Sequence, residues 1–227
     1  MSRRPGLQKK WARVVNSLQE IVPSYEKASS RIALFHDKEM RREAVGFATE
    51  GGRLVLDLGA GPGPMSRLVV ARGCRPVLLD VSRQMLKAAG FPDSVQGVFE
   101  ALPFRPGAFD GAVSGFALRD ALDLDSAVGE LVRVLRPGGR LGFCDLGKPD
   151  SPLKGVLVAC YLRVAPVVIG LMSVGRSGLR YGSIFDTYAL VLRNADLGRF
   201  LSRRFREVSI HETQMGGSIV AKCVKAG

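Results

Sequence analysis

The residues best suited to chemistry lie where a short apolar strand ends in an acid and runs into a glycine-rich loop. Residues 54–58 are apolar apart from Asp57, and a G-x-G-x-G loop follows at 59–63. Glycine allows a tight turn and close approach of the backbone to a ligand, because it carries no Cβ atom. Pro64 suits the first turn of a helix, so this run predicts a strand, a ligand-binding loop and a helix in that order.

A second acid, Asp80, ends the next predicted strand. It follows Asp57 at the separation, about 20 residues, at which an acid commonly binds the ribose hydroxyls of a nucleoside cofactor. The dinucleotide fingerprint G-x-G-x-x-G would need a glycine where this chain has Pro64. Dinucleotide binders place a pyrophosphate at the helix N-terminus, whereas Asp57 better suits a cation such as the amino group of a methionine moiety. The D-L-G-x-G-x-G run therefore resembles the first motif of the class I S-adenosylmethionine-dependent methyltransferases.

Strand-like and helix-like runs alternate from residue 53 onward, which is typical of βαβ units and a parallel sheet covered on both faces. The predicted strands are 53–58, 76–80, 95–99, 110–116 and 139–145, and the predicted helices are 64–72, 82–89 and 123–135. Two later runs, 206–212 and 217–224, indicate an antiparallel pair that completes the sheet. We predict an α/β, Rossmann-like methyltransferase fold with a mostly parallel seven-stranded sheet, this C-terminal antiparallel pair, and helices on both faces.

Ligands of such open sheets bind outside the carboxyl ends of the strands. We therefore expect Asp57, Asp80 and Phe99 to meet the 114–120 loop at that edge. The Pro-Gly-Gly run at 137–139 predicts a turn after the last of these helices.

The chain is expected to form one methyltransferase domain over residues 1–227. Residues 8–49 have a helical pattern that Pro23 interrupts, and a second helix is predicted over 37–49. We expect an N-terminal helical cap over 1–50 and an apolar helical lid over 150–195, inserted before the last helix and strands.

Four further motifs occur in a fixed order. They are E-A-L-P-F at 100–104, F-A-L-R-D at 116–120, V-L-R-P-G-G-R-L at 134–141 and D-L-G-K-P at 145–149. The set resembles the ubiquinone/menaquinone biosynthesis C-methyltransferases, which have E-A-L-P-F, F-G-L-R-N, V-L-K-P-G-G-R-L and E-F-S-K-P in the same order. The resemblance implies a methyltransferase that uses S-adenosyl-L-methionine to C-methylate a prenylated quinol or a related hydrophobic aromatic acceptor.

The resemblance also implies a cofactor site. The cofactor-binding residues that it indicates are Tyr25, Asp57, Gly59, Ala60, Gly61, Gly63, Asp80, Val81, Met85, Phe99, Glu100, Ser114 and Phe116. The chain departs from the family at Val98, where an Asp or Asn often binds the adenine amine, and at Asp120, where Asn is usual. The adenine must then be bound by stacking, by backbone groups or by Glu100.

A quinol ring carbon becomes nucleophilic when a phenolic hydroxyl ionises. With a phenol pKa of about 10, ionisation at pH 7 costs roughly 4 kcal/mol, which a nearby cation can offset. Arg119 is the candidate for that cation, because arginine stays charged and is a poor base. Asp120 or His36 is the candidate proton acceptor, directly or through water. The alternative for Arg119 is a structural ion pair with Asp120 or another neighbour.

The net charge of +12 over 227 residues has three explanations. The protein binds nucleic acid, it binds an anionic membrane surface, or the charge only keeps it in solution. Nucleic-acid methylation is disfavoured, because residues 114–117 lack the Asn/Asp-Pro-Pro-aromatic loop. Four scattered cysteines and two histidines predict neither a disulfide framework nor a zinc site, and indicate a cytoplasmic protein. The oligomeric state is open.

The segment 156–174 is long and apolar, and it allows three interpretations. A membrane span needs about 20 such residues, but Arg163 and Pro166 lie in its middle. The others are a buried helix hairpin and an apolar lid that accepts a greasy substrate and touches an anionic membrane. Between residues 156 and 194 the chain has the basic residues Arg163, Arg176, Arg180 and Arg193 and the acid Asp186. The third interpretation makes the protein peripheral at the membrane.

Two alternatives to a quinol methyltransferase remain open at this point. One is an enzyme that methylates another small hydrophobic molecule. The other is a non-catalytic module that binds membrane or RNA through its charge. The intact set Asp57, Gly59, Gly61 and Asp80 favours cofactor binding and therefore an enzyme.

Overall fold

A computed structural model of the chain describes residues 36–175, 179 and 182–227. Tyr25 and the helical pattern predicted before Pro23 lie outside these described residues. The helices are α1 (Asp37–Ala48), α2 (Pro64–Ala71), α3 (Arg83–Ala89), α4 (Leu124–Val134), α5 (Pro152–Val174), α6 (Ser183–Tyr188) and α7 (Asn194–Ser202). The strands are β1 (Leu54–Leu58), β2 (Arg75–Asp80), β3 (Ser94–Gln96), β4 (Phe109–Gly115), β5 (Leu135–Leu146), β6 (Glu207–Thr213) and β7 (Ser218–Val224).

The seven strands form one sheet in the order β3-β2-β1-β4-β5-β7-β6. The pairs among the first five strands are parallel, whereas β7 is antiparallel to both β5 and β6. This arrangement confirms the predicted fold. The chain leaves β1 towards β2 and returns to the other side of β1 at β4, so the topological switch point lies at the carboxyl end of β1.

The two faces of the sheet bury two different cores. Leu56 and Leu58 of β1 join the core on the side of α4 and α7, whereas Val55 packs with residues of α1 and α2. Successive side chains on a strand point to opposite faces, so Asp57 shares the α1 and α2 face with Val55. The alternation of β1 thus directs its one acid under the first two helices.

Two glycines bring α1 unusually close to the sheet. A Cβ atom on Gly111 of β4 would lie 2.1 Å from the carbonyl oxygen of Ala48, and one on Gly142 of β5 would lie 2.1 Å from that of Ala44. Any larger side chain would push the helix away. The close seating of α1 on β4 and β5 therefore depends on the backbone approach that glycine permits.

Two local predictions differ from the structure. The strand predicted over 95–99 is only Ser94–Gln96, so Phe99 lies in the loop beyond it. The turn predicted at 137–139 lies inside β5. The register between β4 and β5 shifts there, because Phe109 pairs with Leu135 whereas Gly111 pairs with Arg140. The Pro-Gly-Gly run therefore forms an irregular excursion within a strand, and Gly138 has a φ of 72°.

Helix α5 has an apolar surface that faces outward. By length and composition, Pro152–Met172 is the one helix among the described residues that could cross a membrane, with a mean hydropathy of 2.0. Only 22% of its apolar window is buried, chiefly where Val158 and Leu162 pack on Leu146 and Tyr188. A fully buried hairpin helix would not show this exposure.

Candidate active site

The glycine loop lies directly after β1 and is bound to the end of β2. The backbone amides of Gly59 and Ala60 both donate to the carbonyl of Leu79, at 2.8 and 3.1 Å. Gly59, Gly61 and Gly63 have φ values of 70°, 53° and 82°, which other residues rarely adopt. The loop is therefore fixed in shape, and glycine is required by its backbone conformation.

Asp80 holds the loop from the neighbouring strand. One carboxylate oxygen accepts the amide of Gly61 at 2.8 Å and the other accepts the amide of Ser82 at 2.8 Å. Burial raises the pKa of Asp80, and the two amides oppose that change. A carboxylate offers about four lone-pair sites, so two remain for the hydroxyls of a ribose. Val81 and Met85 follow, and Met85 is buried in the first turn of α3.

Phe99 and the loop after β4 meet Gly59, as the sequence predicts. A Cβ atom on Gly59 would lie 3.0 Å from the ring of Phe99 and 2.4 Å from Cβ of Ala117. The ring thus lies against the glycine loop, where an adenine could stack. One carboxylate oxygen of Glu100 is engaged elsewhere, because Oε1 accepts the amides of Leu122 and Asp123 at 2.7 and 3.2 Å.

Asp57 is fully buried beneath the loop. Its Oδ2 accepts the hydroxyl of Ser66 at 2.6 Å, whereas its Oδ1 has no hydrogen-bond partner among the described residues. Burial raises the pKa of Asp57 to about 6, against the hydrogen bond from Ser66 and the charge of Arg41. Ser114, also fully buried, donates to the carbonyl of Leu58 at 2.9 Å and so joins β4 to β1.

The end of β4 is conformationally strained at Phe116. This residue has a φ of 61°, and a bulky residue seldom takes a positive φ. Its amide donates to the carbonyl of Cys144 at 2.7 Å, and its carbonyl accepts Nη1 of Arg119 at 2.5 Å. Strain of this kind is concentrated at functional sites, where the surrounding contacts maintain it.

Arg119 forms an ion pair with Asp145, a residue at the end of β5 that sequence reasoning missed. Its Nη1 donates to Oδ1 of Asp145 at 2.6 Å, and its backbone amide donates to Oδ2 at 3.1 Å. The guanidinium also reaches the hydroxyl of Thr187 on α6 at 3.4 Å. Both members of the ion pair are largely buried, so the cation is held in one orientation.

Asp120 lies beside this ion pair, but neither member of the pair forms a hydrogen bond to its Oδ1. Its Oδ1 is 3.7 Å from Nε of Arg119 and has no hydrogen-bond partner among the described residues. Burial raises the pKa of Asp120 to about 6, Arg119 opposes the change, and the nearby charge of Asp145 adds to it. A carboxylate with a raised pKa and an unfilled oxygen is suited to accept a proton.

His36 is not buried with this pair. It is exposed and immediately precedes α1, whereas Arg119 and Asp120 lie in the loop after β4. Arg41, one turn further along α1, is a buried cation that sequence reasoning also missed. A lone arginine on a polar helix carries no sequence signal, because its burial results from the close approach of α1 to the sheet.

The observed site fits S-adenosylmethionine. A Cβ atom on Gly61 would meet no heavy atom of another described residue within 4 Å, so this face of the loop is open to a ligand. Asp80 has lone pairs left for a ribose, the ring of Phe99 offers a stacking surface, and Asp57 has an orphaned buried oxygen among the described residues. An adenosine with a cationic amino acid end matches this set of groups.

The comparison with known proteins gives first the class of protein. A sequence profile described as "Methyltransferase domain" matches residues 56–143. The fold is similar to an S-adenosylmethionine-dependent methyltransferase from Thermotoga maritima, with a TM-score of 0.64, 19% identity, and 92% of this chain and 99% of that chain covered. It is also similar to the plantazolicin methyltransferase BpumL in complex with SAH, with a TM-score of 0.64, 13% identity and 98% of each chain covered. The protein is a class I methyltransferase, and its cofactor is S-adenosyl-L-methionine.

Sequence relatives define the family within that class. The chain is 33% identical over 174 residues to a demethylmenaquinone methyltransferase of Thermus thermophilus, covering 71% of this chain and 79% of that relative. It is 32% identical over 212 residues to a ubiquinone/menaquinone biosynthesis C-methyltransferase of Syntrophotalea carbinolica, covering 88% of each. The chain belongs to the ubiquinone/menaquinone biosynthesis C-methyltransferase family.

Proposed function

We propose that this enzyme C-methylates a prenylated quinol or a closely related hydrophobic aromatic acceptor. The observation that carries the proposal is the largely buried group Arg119, Asp120 and Asp145 at the carboxyl edge of the sheet. The neighbouring Ala117 contacts Gly59 of the glycine loop, and Leu146, next to Asp145, packs on the apolar helix α5. The relatives are named as methyltransferases of menaquinone or ubiquinone biosynthesis, and these names support the same class of acceptor. One domain over residues 1–227, with the cap and lid as predicted, contributes all these groups.

The cofactor, when bound, supplies a methyl group made electrophilic by a sulfonium, and the chain supplies binding, orientation and proton handling. We assign Asp80 to the ribose and Asp57 to the amino group of the methionine moiety, for the reasons of geometry and charge given above. The ring of Phe99, which lies against Gly59, would stack on the adenine. The other cofactor contacts follow the prediction: Tyr25, Gly59, Ala60, Gly61, Gly63, Val81, Met85, Glu100, Ser114 and Phe116.

Asp120 takes the proton of the acceptor's phenolic hydroxyl, which leaves a phenolate whose ring carbon is nucleophilic. Its pKa of about 6 makes it a stronger base than an ordinary aspartate and still leaves it ionised at neutral pH. Arg119, fixed by Asp145 and by the carbonyl of Phe116, stabilises the phenolate as a preorganised positive charge. His36 stays the second candidate for the proton, through water.

A hydrophobic acceptor also needs a path from the membrane to the active site, and α5 provides an apolar surface along which it can pass. Leu153, Leu157, Val164, Val168 and Leu171 are exposed and recur at intervals of three, four or seven residues, which places them on one face of the helix. Lys154 and Arg163 are placed to either side of this face, by helical rotation. An apolar stripe with cationic flanks is typical of a helix that lies in an anionic membrane interface. The enzyme therefore works in the cytoplasm, peripherally at the membrane.

A panel of acceptors tests the proposed function. The enzyme is incubated with S-adenosylmethionine and one of three acceptors: a prenylated demethylated quinol, the same ring without its prenyl tail, or catechol. We expect methylation of the prenylated quinol at a ring carbon, weaker methylation of the tail-less ring, and none of catechol. Methylation of catechol with no reaction on either quinol would assign the enzyme to another small acceptor.

A further inference from the structure

We infer that Arg41 binds the carboxylate of the cofactor's methionine moiety and so completes a site for a zwitterion. Arg41 lies on α1 and is only 6% exposed, which is rare for an arginine. Its guanidinium carbon lies 5.1 Å from the centre of the Phe116 ring, at the end of β4. The cation therefore sits at the carboxyl edge of the sheet, next to the strained residue of the site.

The guanidinium of Arg41 lacks the partners that a buried cation requires. Its contact with an acid is an ion pair with Asp37, one turn earlier on α1, at 3.9 Å. No hydrogen bond from its five N–H donors is found within the part of the chain that the structure describes. A buried arginine without acceptors is costly, so the arrangement indicates an anionic group that arrives with a ligand.

Asp57 supplies the opposite half of the same site. Asp57 pairs with Val113 of β4, and Nη1 of Arg41 lies against Gly115, two residues further along the same strand and on the same face. The charge of Arg41 accordingly opposes the rise in the pKa of Asp57. Oδ1 of Asp57 lacks a hydrogen-bond partner among the described residues. A cation and an anion, each incompletely satisfied and close to each other, match the ammonium and the carboxylate of an amino acid.

The fold makes room for this arginine at Gly115. A Cβ atom on Gly115, the last residue of β4, would lie 2.4 Å from Nη1 of Arg41. The close approach of α1 to Gly111 and Gly142 fixes the helix that carries Arg41. The position of the guanidinium thus depends on three glycines, because a side chain on any of them would displace α1 or Arg41.

A pair of ligands separates this role from a structural one. S-adenosylhomocysteine has the amino acid end, and 5′-methylthioadenosine has the same adenosine and sulfur without the amino and carboxylate groups. Calorimetry measures both ligands on wild type, Arg41→Gln and the matched control Arg42→Gln, since Arg42 is the exposed neighbour on α1. We expect Arg41→Gln to weaken S-adenosylhomocysteine by about 10- to 100-fold, the range for a lost charge-assisted bond, and to leave 5′-methylthioadenosine unchanged.

Two more variants keep the test decisive if Arg41→Gln does not fold. Arg41→Lys retains the charge and should recover part of the affinity, and Gly115→Ala should displace the guanidinium and reproduce the selective loss. Equal weakening of both ligands in these variants would make Arg41 a structural partner of Asp57 and overturn the inference. Unchanged binding of S-adenosylhomocysteine would overturn it as well. Because neither ligand involves an acceptor, the outcome does not depend on the proposed quinol.

Discussion

Three carboxylates, one fully buried and two partly buried, are the candidates for most of the chemistry of this site. Burial raises the pKa of Asp57 and Asp120 to about 6 and also raises that of Asp80. Asp57 and Asp80 could be predicted because acids at strand ends and next to a glycine loop form a local pattern, and Asp120 was predicted from the F-A-L-R-D motif through the family resemblance. It did not identify Asp145 or Arg41, because their roles come from contacts between residues far apart in the chain: Asp145 lies 26 positions after Arg119 and Arg41 lies on another element.

The role of Asp80 predicts a selective loss of cofactor. Asp80→Asn keeps the shape but removes the charge that accepts the ribose hydroxyls, so S-adenosylhomocysteine should bind about 10- to 100-fold more weakly. Calorimetry on this variant and on Asp196→Asn, an exposed acid of α7, measures the effect. Equal affinity in Asp80→Asn and wild type would remove Asp80 from the cofactor site.

The role of Asp120 predicts a loss of turnover without a loss of cofactor. Asp120→Asn cannot accept a proton, so kcat should fall by about 100-fold or more while S-adenosylhomocysteine affinity stays unchanged. In wild type, kcat should fall as the pH drops below about 6, because protonated Asp120 is not a base. The pH profile of kcat for both proteins measures this, and a variant with full activity would transfer the role to His36.

The same pKa predicts that Asp120 weakens the fold at neutral pH. The pKa in the folded protein lies above the ordinary value of 3.8, so the folded state binds the proton more tightly. Its contribution to stability is therefore full below about pH 4 and is lost as the pH rises through about 6. Asp120→Asn should raise Tm at pH 8 and have little effect at pH 4, as measured by thermal unfolding. A lower Tm at pH 8 would show that the pairing with Arg119 outweighs burial.

At the scale of elements, the glycines under α1 determine how closely this helix approaches the sheet. The alternation of strands and helices was predictable, because buried parallel strands and amphipathic helices differ in period. The close seating of α1 on β4 and β5 was not predictable, since Gly111 and Gly142 look like ordinary strand glycines. The excursion at 137–139 was predicted as a turn after a helix, because Pro-Gly-Gly shows a local bend but not the pairing on either side of it.

This packing predicts that a single methyl group in the sheet disturbs the cofactor site. Gly142→Ala places a Cβ atom against the carbonyl of Ala44, so α1 must move, at a cost of about 1–3 kcal/mol. Gly46→Ala is the matched control on α1, because its Cβ atom would meet no other described residue within 4 Å. Thermal unfolding and S-adenosylhomocysteine calorimetry should show losses for Gly142→Ala, and no loss in the control. Equal behaviour of the two variants would refute the role of the glycine.

At the scale of the whole molecule, excess positive charge accompanies an exposed apolar helix. The net charge is +12, and the composition alone could not distinguish a nucleic acid from a membrane. The proposal of a membrane surface rests on the apolar residues of α5 that face outward rather than into a core. Sequence periodicity could not decide this, because a helix that is apolar on most sides fits a buried helix as well.

Membrane binding is expected to depend on both features. Vesicles with anionic lipid should bind the protein at low salt, and binding should weaken as salt screens the charge. The double variant Leu157→Asp/Val164→Asp should lose binding in a flotation assay, whereas Val70→Asp, an exposed apolar residue of α2, should not. Equal flotation of all three proteins would show that α5 is not the contact surface.

The decisive experiment follows a labelled methyl group from the cofactor to the acceptor. The protein is mixed with S-adenosylmethionine labelled on its methyl group and with a reduced prenylated demethylated quinol, and the product is analysed by mass spectrometry and NMR. We predict one labelled methyl group on a ring carbon, formed by wild type and strongly reduced in Asp120→Asn. A label on oxygen, or no transfer by a protein that binds S-adenosylhomocysteine, would contradict C-methylation of a quinol by this enzyme.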